Sequence, residues 1–273
     1  MRNFFITIDQ GTTSSRAILY DNRINKVDIS QVELTQYYPK EGLVEHDLEE
    51  IWNSVVFCVR ELIEKHSLKP EEIVSIGITN QRETVALWDK KTQKPLAKAI
   101  VWQDRRTAEF CKKLKEDGLE EVIKEKTGLL LDPYFSASKM KWLKDNLNLK
   151  NKSDYLFGTI DTFLICKLSG GKNFFTDASN ASRTSLFNIQ NCKYDEDLLK
   201  IFDLEDIQLP VNGTVTILLN PGKAEPVAVE AKKILISKEA IYAQSASWGV
   251  EESAGFIKLL GQSTATWTDI NKK

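Results

Sequence analysis

The sequence predicts a mixed α/β fold in which helices cover a sheet. Three observations carry that expectation. First, an apolar run, Phe4-Phe5-Ile6-Thr7-Ile8, leads into Asp9-Gln10, a turn of glycine and hydroxyl residues (Gly11-Thr12-Thr13-Ser14-Ser15), then Arg16-Ala17 and a second apolar run ending at Tyr20. This is a β-hairpin with a carboxylate at its base. Second, residues 26–38 carry Val27, Ile29, Val32 and Leu34, the spacing and β-branching of a third strand beside the hairpin. Third, Asp47 is placed to cap a helix of about five turns, with Ile51, Val55, Val56, Val59, Leu62 and Ile63 on one face. Strands followed by alternating helix and strand give helices packed on a sheet.

The remaining elements follow in order. Residues 73–79 form a short buried strand, and residues 84–88 form another, closed by the turn Asp89-Lys90-Lys91-Thr92. Residues 99–102 are an apolar stretch leading into Gln103-Asp104-Arg105-Arg106. Helical spacing predicts helices over 107–115, 120–126, 136–146, 159–168 and 195–202. Pro210, Gly213, Pro221, Gly222 and Pro226 break any pattern over 209–230, which reads as a loop. A strand at 233–238, a helix at 245–256 and a threonine-rich strand or hairpin at 261–270 complete the chain.

Composition narrows the function classes. A net charge of −2 supplies no field for nucleic acid or an anionic membrane. With only His46 and His66, a histidine-based metal site is not expected. Cys58, Cys111, Cys166 and Cys192 are widely spaced, which argues against a zinc site or a disulfide framework and for a reducing cytoplasm. No apolar run approaches the ~18 residues of a membrane span. Asp9 interrupts the early apolar segment, so no signal peptide is expected.

Four stretches carry chemistry. In the hairpin turn, glycine lets backbone N–H groups approach an anion, and Thr12, Thr13 and Ser14 add donors. Phosphate suits this arrangement. Asp9 would repel phosphate directly, so a Mg²⁺ ion between them is the simplest reading; a polar turn with nothing bound is the alternative. In Asn80-Gln81-Arg82-Glu83, a guanidinium fork and a carboxylate can grip a polyhydroxy compound, or simply pair with each other at a strand end. Trp102 can pack on a carbon backbone or in the core. Tyr134, in Asp132-Pro133-Tyr134-Phe135-Ser136, can offer a hydroxyl to a ligand or serve packing alone.

Together these stretches resemble the FGGY carbohydrate kinases, in the branch that phosphorylates glycerol. The motifs are 9–17, Gly42-Leu43-Val44-Glu45-His46-Asp47, 77–83, 100–107, Thr127-Gly128-Leu129, 132–136 and 177–183, in that order. Ser136, Lys139, Trp142 and Leu143 also fit the family's signature spacing. The resemblance spans about 4–209. It implies an actin-like, ribonuclease-H-like domain and transfer of the γ-phosphoryl of ATP to a terminal hydroxyl of glycerol or a close polyol. By the resemblance, Asp9 orders Mg²⁺. Thr12, Thr13, Ser14 and Arg16 hold the nucleotide phosphates. Arg82, Glu83, Trp102 and Tyr134 bind the polyol.

Two departures accompany the resemblance. The family's proton-accepting aspartate aligns with Tyr242, and Tyr242 with an ordinary phenol is a poor base near neutrality. Leu260-Gly261-Gln262-Ser263-Thr264 resembles the start of the family's second phosphate loop, and the chain ends soon after. The expected organisation is a polyol- and phosphate-binding domain at 1–240 and the start of a nucleotide-binding domain at 241–273. A second polypeptide could supply the rest. Two further readings are an inactive remnant that binds polyol or a partner, and an actin-like nucleotide-binding domain with no kinase role. The polyol set argues against the last.

Overall fold

The structure, a computed structural model, describes residues 3–147, 149, 153–212, 215–216 and 233–234, with residues 212, 215–216 and 233–234 described by backbone only. The hairpin opens the fold as β1 (Phe4–Gln10) and β2 (Ser14–Tyr20), followed by β3 (Lys26–Glu33), β4 (Glu45–His46) and α1 (Leu48–Lys65). Next come β5 (Ile73–Asn80), β6 (Val85–Asp89), β7 (Ala99–Ile100), α2 (Ala108–Glu116), α3 (Glu120–Thr127) and α4 (Ser136–Asn146). The described part closes with β8 (Tyr155–Thr159), α5 (Ile160–Leu168), β9 (Phe175–Thr176), α6 (Ala178–Ala181), β10 (Phe187–Asn188), β11 (Lys193–Tyr194), α7 (Glu196–Ile201) and β12 (Val211–Asn212).

Two four-stranded sheets organise the molecule. The first has the order β3-β2-β1-β5. β1 is antiparallel to β2 and parallel to β5, with Asp9 opposite both Arg16 and Thr79. A parallel neighbour needs a crossover, and α1 lies on that crossover. Asp47 caps α1 through Oδ1, which accepts from the backbone N–H groups of Glu49 and Glu50 at 2.9 and 3.2 Å. Its buried stripe of Leu48, Ile51, Val55, Cys58 and Leu62 packs with Ile6, Ile8, Ala17 and Leu19 of the sheet. Each such side chain contributes about 1.5–3 kcal/mol of transfer free energy, before ordering entropy is subtracted.

The second sheet, β4-β7-β6-β8, is antiparallel and lies between two cores. Strand periodicity divides its side chains. Ala86, Trp88 and Leu156 join the core under α1, whereas Val85, Leu87, Tyr155 and Phe157 face a second core with Ile123, Met140 and Leu143. Gly158 makes this packing possible. A Cβ there would lie 2.8 Å from Thr162 Cβ and 3.0 Å from Trp88 Cη2, so only glycine fits.

The expected elements through residue 202 are present with ends shifted by a few residues, and the third strand stops at Glu33, short of the expected 38. The two-residue strands β4, β9, β10 and β11 and the short helix α6 were not anticipated, and neither was the longer strand β8. In Tyr155-Leu156-Phe157-Gly158-Thr159 only three apolar letters precede Gly158, and the strand runs directly into α5. Val211–Asn212, inside the expected loop, pairs in parallel with β9. Of the strand expected at 233–238, only Lys233–Ile234 is described, paired with Val215–Thr216. The helix expected at 245–256, the segment at 261–270 and Tyr242 lie outside the described residues.

Candidate functional site

Parallel pairing sets Asp9 level with Thr79 and Gln10 level with Asn80. The hydroxyl-rich turn after β1 and the Gln81-Arg82-Glu83 segment after β5 therefore emerge side by side at one end of the sheet. The turn is held from beneath. Gly11 N–H donates to the Ser14 carbonyl at 2.9 Å, Leu34 N–H to the Thr13 carbonyl at 2.9 Å, and Gln36 Nε2 to the Thr12 carbonyl at 2.7 Å. These bonds leave Thr13 exposed and Thr12 half-buried. Ser14 is buried and its Oγ accepts from Gln31 Nε2 at 3.3 Å, so its hydroxyl is tied to β3. Ser15 lies in the protein interior, bonded to Ser54 Oγ at 2.7 Å.

Asp9 and Arg16 face each other across β1 and β2, with Oδ2 and Nη1 3.4 Å apart. Burial pushes the Asp9 carboxyl above its ordinary value, and the Arg16 charge opposes this. Arg16 Nε also donates to Gln31 Oε1 at 3.2 Å. Asp9 is a lone carboxylate: among the described residues no cluster of three His, Cys, Asp or Glu could cage a metal ion. One partly desolvated carboxylate fits a Mg²⁺ ion that keeps most of its waters and takes its other ligands from phosphates.

Beneath the turn runs a buried polar network that sequence reading missed. Gln81 Nε2 donates to Gln10 Oε1 at 3.1 Å and meets His46 Nδ1 at 3.1 Å, while His46 Nε2 meets Gln36 Oε1 at 2.8 Å. An amide donor at Nδ1 and an amide oxygen at Nε2 assign the proton to Nε2. Burial pulls the imidazole down to about 4, with Glu50 opposing, so His46 is neutral near pH 7. Thr84 Oγ1 donates to Gln81 Oε1 at 3.0 Å and accepts from Trp102 N–H at 3.3 Å.

The expected polyol residues converge beside this network. Trp102 and Tyr134 lie with ring centroids 5.4 Å apart, tilted by 59°. The Trp102 indole Nε1–H donates to Thr12 Oγ1 at 2.9 Å, joining the aromatic pair to the turn. Glu83 is 2% exposed and has φ of +62°, a backbone conformation uncommon outside glycine. Its partner is not the adjacent Arg82 but Arg183, whose Nε donates to Glu83 Oε1 at 2.6 Å. Arg82 is half-buried and makes no hydrogen bond or ion pair among the described residues. Burial pushes the Tyr134 phenol up and the Glu83 charge adds to this, while Arg183 and Arg82 oppose it.

Two buried charges shape the wall. Lys139, fully buried on α4, donates to the carbonyls of Pro133, Tyr134 and Phe135 at 2.9, 2.6 and 2.8 Å, fixing the loop that carries Tyr134. Burial pulls its ammonium down to about 7, against the pull of Glu83, Asp104, Cys111 and Asp132. Asp104, also fully buried, accepts from Val44 N–H at 2.7 Å and is forked by Arg106, which reaches Glu45 at 2.8 Å.

A three-strand antiparallel start, a crossover helix, a parallel neighbour and a hydroxyl-rich turn bearing an aspartate define the ribonuclease-H-like domain of the actin-like ATPase fold. Solved structures share it. Plasmodium falciparum glycerol kinase with ADP superposes with a TM-score of 0.74 at 34% identity, covering 84% of this chain and 46% of that one. Gluconate kinase from Lactobacillus acidophilus gives a TM-score of 0.73 at 24% identity, covering 86% of this chain and 47% of that one, a likeness of fold. The N-terminal domain model of the FGGY family of carbohydrate kinases matches residues 4–218, and the chain belongs to that family. Glycerol kinase of Sinorhizobium fredii is 52% identical over 214 residues, 77% of this chain and 43% of that protein. Glycerol kinase of Oceanobacillus iheyensis is 52% identical over 211 residues, 76% of this chain and 42% of that protein. The chain thus spans under half the length of the curated relatives it matches.

Proposed function

We propose that this chain is the polyol- and phosphate-binding part of an ATP-dependent glycerol kinase. The observation that carries the reading is the junction of two seats. Thr12, at the tip of the turn, accepts from the indole of Trp102, which packs on Tyr134 beside Glu83. A phosphate on the turn and a polyol against the aromatic pair would lie next to each other, which is the placement phosphoryl transfer requires. Thr12 and Thr13 would donate to nucleotide phosphates, with Ser14 holding the turn's shape and Arg16 adding charge. Arg82 and Glu83 would supply donors and acceptors to the hydroxyls, with Trp102 and Tyr134 covering the carbon backbone. Asp9 would order Mg²⁺ through water; the ion would offset charge on the phosphates. Glycerol is preferred over other polyols on the names of the relatives that are about half identical to this chain.

Residues 1–240 form the polyol and phosphate domain in this reading, and 241–273 open a nucleotide-binding domain, with a second polypeptide able to supply the remainder. Free cysteines Cys58, Cys111, Cys166 and Cys192 suit a reducing cytoplasm. Among the described residues, no helix is long and apolar enough to cross a membrane.

A second reading, an inactive module that still binds polyol, is favoured by Tyr242 at the position of the proton acceptor. The melting shift tests the polyol site that both readings share, and turnover separates them. Glycerol raises the melting temperature of the purified 273-residue protein above that seen with a non-binding polyol at equal concentration, because it binds only the native state. Coupled-assay turnover with ATP and glycerol is weak or absent for the isolated chain. Robust turnover would exclude the inactive module, and no glycerol-specific shift would overturn polyol binding altogether.

A further inference from the structure

We propose that Arg183 is a positioning residue of the polyol site: it fixes the Glu83 carboxylate and the Tyr134 hydroxyl as an adjoining acceptor and donor for two neighbouring hydroxyls of the substrate. The inference rests on the polyol reading above and adds a residue and a selectivity to it.

The geometry is specific. The Arg183 Nε–H donates to Glu83 Oε1 at 2.6 Å. Its guanidinium lies 4.8 Å from the Phe135 ring centre and 5.8 Å from that of Tyr134, and its positive charge acts on the phenol. The Glu83 side chain is only 3% exposed, and Oε2 makes no hydrogen bond among the described residues. With Oε1 held by Arg183, Oε2 is left as a directed acceptor. A phenol facing this positive charge turns its lone pairs toward Arg183 and its O–H away from it, as a donor. A 1,2-diol offers one donor and one acceptor on adjacent carbons and matches this pair; a 1,3-diol spaces them further apart.

Arg183 is itself held in place. Asp177 caps α6 through a bond from Asn180 N–H at 2.8 Å, and Asn180 Oδ1 accepts from Asn80 Nδ2 at 3.1 Å. Arg183 N–H donates to the Asn180 carbonyl at 3.0 Å, and the Thr184 carbonyl accepts from Ala137 N–H at 2.8 Å. The segment around α6 is thereby pinned to the end of β5 on one side and to the start of α4 on the other. A planar, forked guanidinium can bond a carboxylate while lying over rings, which an ammonium cannot reproduce.

The test measures binding of glycerol, 1,2-propanediol and 1,3-propanediol to the full chain by calorimetry, for wild type, Arg183→Met, Arg183→Lys, Glu83→Gln and the double variant Glu83→Gln/Arg183→Met. The expected result is a loss of about tenfold or more in glycerol affinity for Arg183→Met, with the preference for glycerol and 1,2-propanediol over 1,3-propanediol largely lost. Arg183→Lys recovers part of the affinity. The double variant binds glycerol within about twofold of Glu83→Gln alone, because the two residues act as one unit. Should near-UV circular dichroism show that Arg183→Met does not fold, the fall in 1,2-diol preference of Arg183→Lys decides. Wild-type binding with glycerol affinity unchanged in the variants, an equal loss for all three compounds, or additive losses in the double variant would overturn the Arg183 role alone. A wild type that binds none of the three compounds would overturn the polyol reading and the Arg183 role together.

Discussion

Trp102 and Thr12, 90 residues apart in sequence, are joined by a 2.9 Å hydrogen bond from the indole N–H to the threonine hydroxyl. The bond occupies one lone pair of Thr12 Oγ1 and leaves the hydroxyl proton to donate elsewhere. Trp102 thus serves two seats at once, by packing on Tyr134 and by orienting Thr12. Trp102→Phe keeps the ring and removes the donor. Glycerol affinity is expected to change by less than about threefold in Trp102→Phe and to fall by about tenfold or more in Trp102→Ala, while ATP affinity falls in both. Titration calorimetry with each ligand separately checks this, and an equal response of both ligands to Trp102→Phe would contradict it.

His46 gives the fold a pH limit. The unfolded imidazole titrates near 6.5 and the folded one near 4, so between those values the unfolded chain holds the extra proton. Stability therefore rises with pH across that window and is fully present above it. Protonation in place would break the amide bond from Gln81 to Nδ1. The loss on acidification is expected to approach about 3 kcal/mol. Urea unfolding of wild type and His46→Asn at pH values between about 4.5 and 7 measures it. The variant should start less stable near neutrality and show a flatter slope; parallel slopes would place the pH dependence elsewhere.

Lys139 holds three carbonyls in succession, those of residues 133–135. In Lys139→Met the volume is nearly kept, but the three carbonyls lose a donor that is itself fully buried. A cost of about 3 kcal/mol is expected from the unfolding midpoint. The loop bearing Tyr134 should loosen as well, weakening glycerol binding and reducing the near-UV signal of the Trp102–Tyr134 pair. A stable variant with intact binding would reduce Lys139 to a packing role.

How much of this was legible depends on the distance over which each feature is determined. The hairpin and the Asp47 cap are local: a turn of small residues and a side chain reaching the next helical turn are written in adjacent letters. Asp9, Thr12, Trp102 and Tyr134 stood out because their types and motifs suit phosphate and polyol. Arg183 and Glu83 lie 100 residues apart, and nothing near Glu83 favours Arg183 over the adjacent Arg82 as its partner. His46 was weighed only as a metal ligand, because its role depends on glutamines from three other segments, Gln10, Gln36 and Gln81. Strand β8 offers only three apolar letters, Tyr155-Leu156-Phe157, before Gly158 and Thr159; its extent is made by pairing with β6, a tertiary choice.

The level pairing of β1 with β5, Asp9 beside Thr79 and Gln10 beside Asn80, also constrains how such a chain can drift over generations. The segments between the strands, such as residues 21–25 and 66–72, can gain or lose a residue and leave the ladder in step. A single-residue deletion inside β5 would slide Gln81, Arg82 and Glu83 along the sheet and turn alternate side chains to the opposite face. Length variation among descendants of this chain should therefore collect on the crossover and be purged from the two strands, whatever substitutions those strands accept.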